Sequence, residues 1–241
     1  MNPQEEIRET FGYLKGRMQV HQEMGFEPPR VYAGKLDSAK AETAATATGR
    51  RSHDHAGNLG DLKAHIGDCR QCKLYKSRNQ LVFGEGSPDA RLVFVGEGPG
   101  REEDLVGKPF VGKAGELLTK IIENGMGLSR KDVYICNIVK CRPPNNRDPE
   151  GDEIGACMPF LKQQIDIIRP EVICALGRVA GQALLGGDFK ISRERGKWFT
   201  YMDIPLMATF HPAYLLRNAS AKRQVWDDVK KIMKHLGLEV K

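Results

Sequence analysis

Four short apolar runs alternate with longer stretches of helical periodicity between residues 91 and 236. The runs cover 91–95, 132–138, 172–176 and 206–210. Each is rich in β-branched or aromatic residues and bounded by glycine, proline or charge, so each reads as a buried strand. Helices are predicted over 113–124 (Leu117, Leu118, Ile121, Ile122), 150–168 (Ile154, Phe160, Leu161, Ile165, Ile168), 178–186 (Val179, Ala183, Leu184) and 219–236. Strands that alternate with helices need crossovers, and crossovers build a mostly parallel sheet covered on both faces. The expected class is α/β with a central four-stranded, mostly parallel sheet.

Ligands of such sheets collect at the carboxyl ends of the strands. The first run leads into Gly96-Glu97-Gly98, the second carries Asn137 near its end, and the fourth delivers His211-Pro212. Three polar groups that are distant in sequence should therefore meet along one edge.

The 241 residues allow one medium domain plus an appendage. Ile7, Phe11, Leu14 and Met18 predict an amphipathic helix over 5–24 in an N-terminal segment, 1–33, and Pro28-Pro29 ends it. Residues 34–60 hold almost nothing large to bury and read as a flexible linker, with His53 and His55 as solvated histidines. The packed domain is expected over 61–241. The start lacks the layout of a secretory signal, and no apolar run approaches the roughly 18 residues that span a bilayer. A cytoplasmic protein is therefore expected, without membrane contact. Its formal charge of +6 permits a polyanionic partner.

In a reducing compartment the six cysteines argue for metal or free thiols over disulfides. Cys136 and Cys174 fall inside predicted strands and read as core. Cys69 and Cys72 form a C-x-x-C, and Cys141 and Cys157 lie far downstream. These four predict a metal centre tying the start of the domain to its middle. Arg70, Lys73, Lys140 and Arg142 would offset thiolate charge. Zinc and an iron–sulfur cluster suit such ligands equally well.

The segment Gly96-Glu97-Gly98-Pro99-Gly100 has the G-x-G of a dinucleotide turn, but Arg101 replaces the third glycine and Pro99 removes a donor. A tight strand-to-helix turn accounts for its glycines. The next stretch, Pro109-Phe110-Val111-Gly112-Lys113-Ala114-Gly115, puts a ring between glycines and a lysine at a helix start, where free N–H groups suit a phosphate. His211 could simply cap the sheet. Yet Tyr214-Leu215-Leu216-Arg217 follows it, with two leucines expected to be exposed. That pattern suggests an apolar wedge with a phosphate anchor.

With these motifs in order, the sequence resembles the iron–sulfur uracil-DNA glycosylases called family 4. The matching stretches are Gly96 to Gly100 with Glu103-Asp104, then 107–115 (Gly-Lys-Pro-Phe-Val-Gly-Lys-Ala-Gly), then 137–149 from Asn137 through Lys140-Cys141-Arg142-Pro143-Pro144 to Pro149, and then 211–217. The resemblance covers about residues 61–236. It implies a three-layer α/β/α sandwich, hydrolysis of the N-glycosidic bond of deoxyuridine in DNA, and a [4Fe–4S] cluster on Cys69, Cys72, Cys141 and Cys157. By the same resemblance Glu97, Gly98 and Pro99 border uracil, Phe110 stacks on it, Asn137 bonds its edge and His211 faces its O2. More distant glycosylases of this fold carry an aspartate where Gly98 stands, so leaving-group stabilisation by His211 should dominate, with Glu97 orienting water. Arg101, Lys113 and Arg217 are expected to hold phosphates and Leu215 to fill the gap left by the flipped base. No lysine is placed as a Schiff-base nucleophile.

Two alternatives are a glycosylase for another deaminated base and a non-catalytic iron–sulfur DNA-binding protein. The pairing of Asn137 with His211 speaks for uracil chemistry. A covalently trapping variant would need a basic insert after the second strand, where Lys140 leads directly to Cys141. A monomer is expected, with uracil-containing DNA as partner. Residues 1–60 could contact another repair protein or form a frayed tail.

Overall fold

The computed structural model of the protein describes residues 58–240. The helix expected over 5–24, His53, His55 and most of the linker lie outside them. The described residues open with helix α1 (Leu59–Ile66), whose first two residues fall within the stretch read as linker. The Asn58 side chain accepts from the Asp61 N–H, and Asp61 accepts in return from the Asn58 backbone, a reciprocal cap that starts the helix here.

All four expected strands form, as β2 (Leu92–Gly96), β3 (Tyr134–Asn137), β4 (Val172–Leu176) and β6 (Ile204–Thr209). They pair in parallel in the order β3-β2-β4-β6. The sheet is wider than expected, with six strands. A two-residue β1 (Glu85–Gly86) adds antiparallel to β3, and β5 (Trp198–Tyr201) adds antiparallel to β6. β1 is too short to leave an alternating pattern. β5 reaches β6 through the two-residue turn Met202-Asp203, where both residues take positive φ (51° and 61°). Hairpin turns of that geometry usually announce themselves with Asn-Gly or Asp-Gly; this one does not.

Successive strand residues point to opposite faces, and two separate cores result. Val93, Val95, Cys136, Ile138, Ile173 and Ala208 face one side. There they pack on α1, on α4 (Gly151–Ile168, through Phe160, Leu161 and Ile165) and on α5 (Gly177–Leu185, through Ala180 and Leu184). Leu92, Phe94, Ile135, Cys174 and Met207 face the other. That side is covered by α3 (Lys113–Lys120) with the wide turn Ile121–Gly125, by α7 (Pro212–Arg217) and by α8 (Lys222–His235). Cys136 and Cys174 are core residues on opposite faces. Two further short helices, α2 (Arg101–Val106) and α6 (Ile191–Glu194), complete the eight among the described residues.

Register aligns the carboxyl ends. Gly96 pairs with Asn137 and Leu176 pairs with Thr209, so the loops that leave β2, β3, β4 and β6 emerge along a single edge.

Candidate active site

Main-chain bonds carry β2 and β3 past their last paired residues. Ile138 N–H donates to Gly96 O at 2.9 Å and Val139 N–H to Glu97 O at 3.1 Å. Asn137 is thereby buried, 1% exposed, beside the Gly96 backbone. A methyl group on Gly96 would overlap Asn137 Oδ1 and stand 2.6 Å from Cζ of Phe110. The glycine is what lets carboxamide and ring approach one another. Asn137 Oδ1 is a buried acceptor without a hydrogen-bond partner. Such an atom costs about 1–3 kcal/mol when left unpaired, and a catalytic role is one reason a native structure keeps one.

Phe110 is held in a left-handed backbone conformation, φ 51°, uncommon for a bulky residue. Two neighbours hold it. Gly115 of α3 packs directly on the Phe110 carbonyl, where a methyl group would overlap it. Glu103 of α2 accepts from Val111 N–H and Gly112 N–H with one oxygen, both at 3.0 Å, and from Gly100 N–H at 3.1 Å with the other. One carboxylate thus ties the loop after β2 to the loop carrying the ring. Two of the N–H groups expected to await a phosphate before Lys113 are therefore committed to Glu103.

His211 caps α7. Its Nδ1 accepts from Ala213 N–H at 3.1 Å, which assigns the ring proton to Nε2. Burial, aided by the Arg217 charge and opposed by Glu103, lowers its pKa to about 4, so the imidazole is a neutral donor at physiological pH. The His211 and Phe110 rings lie stacked, centroids 5.5 Å apart and 30° between planes. Gly177, at the end of β4, makes room for His211: a methyl group there would stand 2.9 Å from His211 Cβ. Asn137, Phe110 and His211 therefore converge on the edge that the strand ends predicted.

The Glu97 carboxyl is pushed up to about 7, chiefly by burial, then by the Asp148 charge, with Arg178 opposing. Arg178 and Asp148 form an ion pair. Gly98 lies against Val139, where a methyl group would stand 2.8 Å from Cγ2, so a larger residue would have to displace that side chain. Pro99 is buried beside it.

Arg101, Lys113 and Arg217 are exposed. Leu215 is not: at 2% exposure it sits in the core, and the expectation of a wedge there is corrected. Pro212 starts α7 one residue after the cap, and the helical phase turns Pro212 and Leu215 inward together. Leu216, at 50% exposure, and Tyr214 are the outward pair.

On the opposite face of the sheet, Cys69, Cys72, Cys141 and Cys157 line one pocket. The cation at a cysteine sulfur is Arg78, 63 residues from Cys141 in the chain and marked by no motif. Its Nη1 lies 3.1 Å from Cys141 Sγ and 2.7 Å from Cys69 O, and Nη2 bonds Asp68 at 2.7 Å. Of the four cations expected, Arg70 pairs with Asp68, Lys73 with Glu150, and Arg142 with Asn146. Lys140 turns its ammonium inward, while its main-chain N–H donates to Cys157 Sγ at 3.3 Å. Burial pushes the Cys141 thiol up to about 11 and raises that of Cys157.

The comparisons agree with this architecture. A family model described as "Uracil DNA glycosylase superfamily" matches residues 83–230. A type-4 uracil-DNA glycosylase of Thermotoga maritima is 50% identical over 174 residues, 70% of this chain and 90% of the relative. Those of Sulfurisphaera tokodaii (46% identical, 73% of this chain, 83% of the relative) and Archaeoglobus fulgidus (44%, 73%, 92%) are similar to it as well. By that match and those relatives, the chain belongs to the uracil-DNA glycosylase superfamily and, within it, to the type-4 family.

Proposed function

We propose that the protein is a monofunctional uracil-DNA glycosylase that hydrolyses the N-glycosidic bond of deoxyuridine and leaves an abasic site for base-excision repair. The observation that carries this is the buried, unpartnered Asn137 Oδ1 meeting Phe110 and His211 at one sheet edge. A base inside a duplex must be flipped out at a cost of a few kcal/mol. Phe110 offers a stacking face of about 1–3 kcal/mol. The Asn137 carboxamide accepts from uracil N3–H and donates to O4, a polarity that cytosine reverses. Cleavage leaves charge on uracil O2, to which the neutral His211 Nε2–H donates. Glu97, poised near neutrality, orients the attacking water, and the Gly98-Pro99 backbone borders the base. Arg101, Lys113 and Arg217 hold phosphates, and Leu216 takes the wedge role first read onto Leu215.

An oligonucleotide with one deoxyuridine tests the reading. Strand breaks are expected only after alkali. Breaks without alkali would overturn simple hydrolysis, and no breaks would overturn the activity.

Cys69, Cys72, Cys141 and Cys157 are the residues that would hold a [4Fe–4S] cluster. Four cysteines around one pocket supply the thiolate donor set that such a cluster takes. Bound there, the cluster would pin α1 and the 141–157 segment to the sheet. Purified protein should be brown, and Cys157→Ser should bleach it. A colourless wild-type protein would refute the cluster.

The partner in this reading is uracil-containing DNA, bound by a monomer in the cytoplasm and at the nucleoid. Among the described residues no helix is long and apolar enough to cross a membrane. A repair-protein contact through residues 1–60 belongs to the same proposal.

A further inference from the structure

Lys140 is fully buried, 1% exposed, and its ammonium has only neutral partners among the described residues. These are the Asn137 main-chain oxygen at 2.8 Å and Gln164 Oε1 at 2.6 Å. Gln164 is fixed in turn, because its Nε2 donates to Phe83 O at 2.9 Å and to Tyr134 Oη at 3.0 Å. Its oxygen is thereby left for the lysine.

Taking a cation out of water costs several kcal/mol, and neutral acceptors return only part of that. A charge so placed calls for an anion nearby, and no carboxylate among the described residues pairs with it. The same residue faces the cysteine pocket. It lines the pocket, donates its main-chain N–H to Cys157 Sγ at 3.3 Å and precedes Cys141. Thiolates bound to an iron–sulfur core carry net negative charge. Toward the other side, the Asn137 carbonyl lies at the end of β3, and the ammonium fixes the backbone of the residue whose carboxamide awaits a partner.

The geometry points to Lys140 as a positioning residue that couples the two sites. Its charge balances the cysteine-bound cluster, and its ammonium sets the Asn137 backbone. This rests on the reading above that the four cysteines hold a cluster and Asn137 contacts uracil. It adds a link that neither site needs by itself.

Lys140→Met in the cluster-loaded protein keeps the stem and removes the charge. Cluster loss to a chelator should quicken about ten- to a hundredfold, the usual cost of losing an outer-sphere partner. The reduction potential of the cluster should move negative, because a nearby cation favours the added electron. KM for uracil-containing DNA should rise about tenfold if the lost contact is an ordinary charged hydrogen bond, with affinity for uracil-free DNA unchanged. Lys140→Arg should restore the wild-type potential and cluster lifetime. A Met variant with the wild-type potential and lifetime overturns the proposal. So does loss of the cluster from Met and Arg variants alike, which would make the site one of shape alone. A colourless wild-type protein would instead remove the cluster reading, and this coupling with it.

Discussion

His211→Ala should slow uracil release by about 10²–10³-fold, the usual cost of deleting one preorganised donor to a developing anion, while affinity for DNA stays close to wild type. Single-turnover release of uracil, set beside a binding isotherm, checks both halves. Turnover at the wild-type rate would remove His211 from the mechanism. The variant also loses the cap on Ala213 N–H, worth about 1 kcal/mol, so His211→Asn, which keeps a cap oxygen, separates helix stability from catalysis. A pH signature accompanies the loss. The folded pKa of about 4 lies below the ordinary 6.5. Above 6.5 the ring is neutral in both folded and unfolded chains and contributes nothing. As pH falls from 6.5 toward 4 the unfolded chain takes the proton first and native stability declines. Wild-type protein should therefore lose thermal stability across that window more steeply than His211→Ala.

Asn137→Leu should abolish selective uracil excision, with kcat/KM falling by about 10⁴-fold, the scale at which a buried hydrogen-bonding site rejects a mismatched partner. The same substitution should leave the melting temperature unchanged or raised. Oδ1 is buried and unpaired in the free protein, and an apolar group of similar shape removes a standing penalty of about 1–3 kcal/mol. Thermal unfolding and steady-state kinetics on one preparation decide the matter. A variant that is both active and selective, or one that is merely unstable, would deny the carboxamide its role.

The central sheet was legible because β2, β3, β4 and β6 are buried on both faces and so read as unbroken apolar runs bounded by breakers. The helices between them carried clear 3.6-residue periodicity. β1 and β5 were not legible. One is two residues long, and the other is a half-exposed edge strand closed by a turn without glycine. Asn137 and His211 could be placed on a common edge because strand ends are predictable positions. What could not be read was the direction of a side chain within a short element. Leu215 and Leu216 exchanged roles once Pro212 fixed the phase of α7. Lys140, next to Cys141 in the chain, also reaches Asn137 with its ammonium, a second contact that no spacing marks. Arg78 reaches Cys141 only through tertiary packing, and no spacing in the chain marks it.

Gly96 and Asn137 end two strands and His211 follows a third by two residues, so their alignment depends on the register of the sheet itself. A chain cut short before β6 should therefore release no uracil, which an excision assay on the truncated protein checks. Fraying of the outer β5 ribbon would leave the gathered residues in place, whereas any slip among the inner strands would scatter them at once. Uracil release should thus vanish in the same cooperative step as the fold.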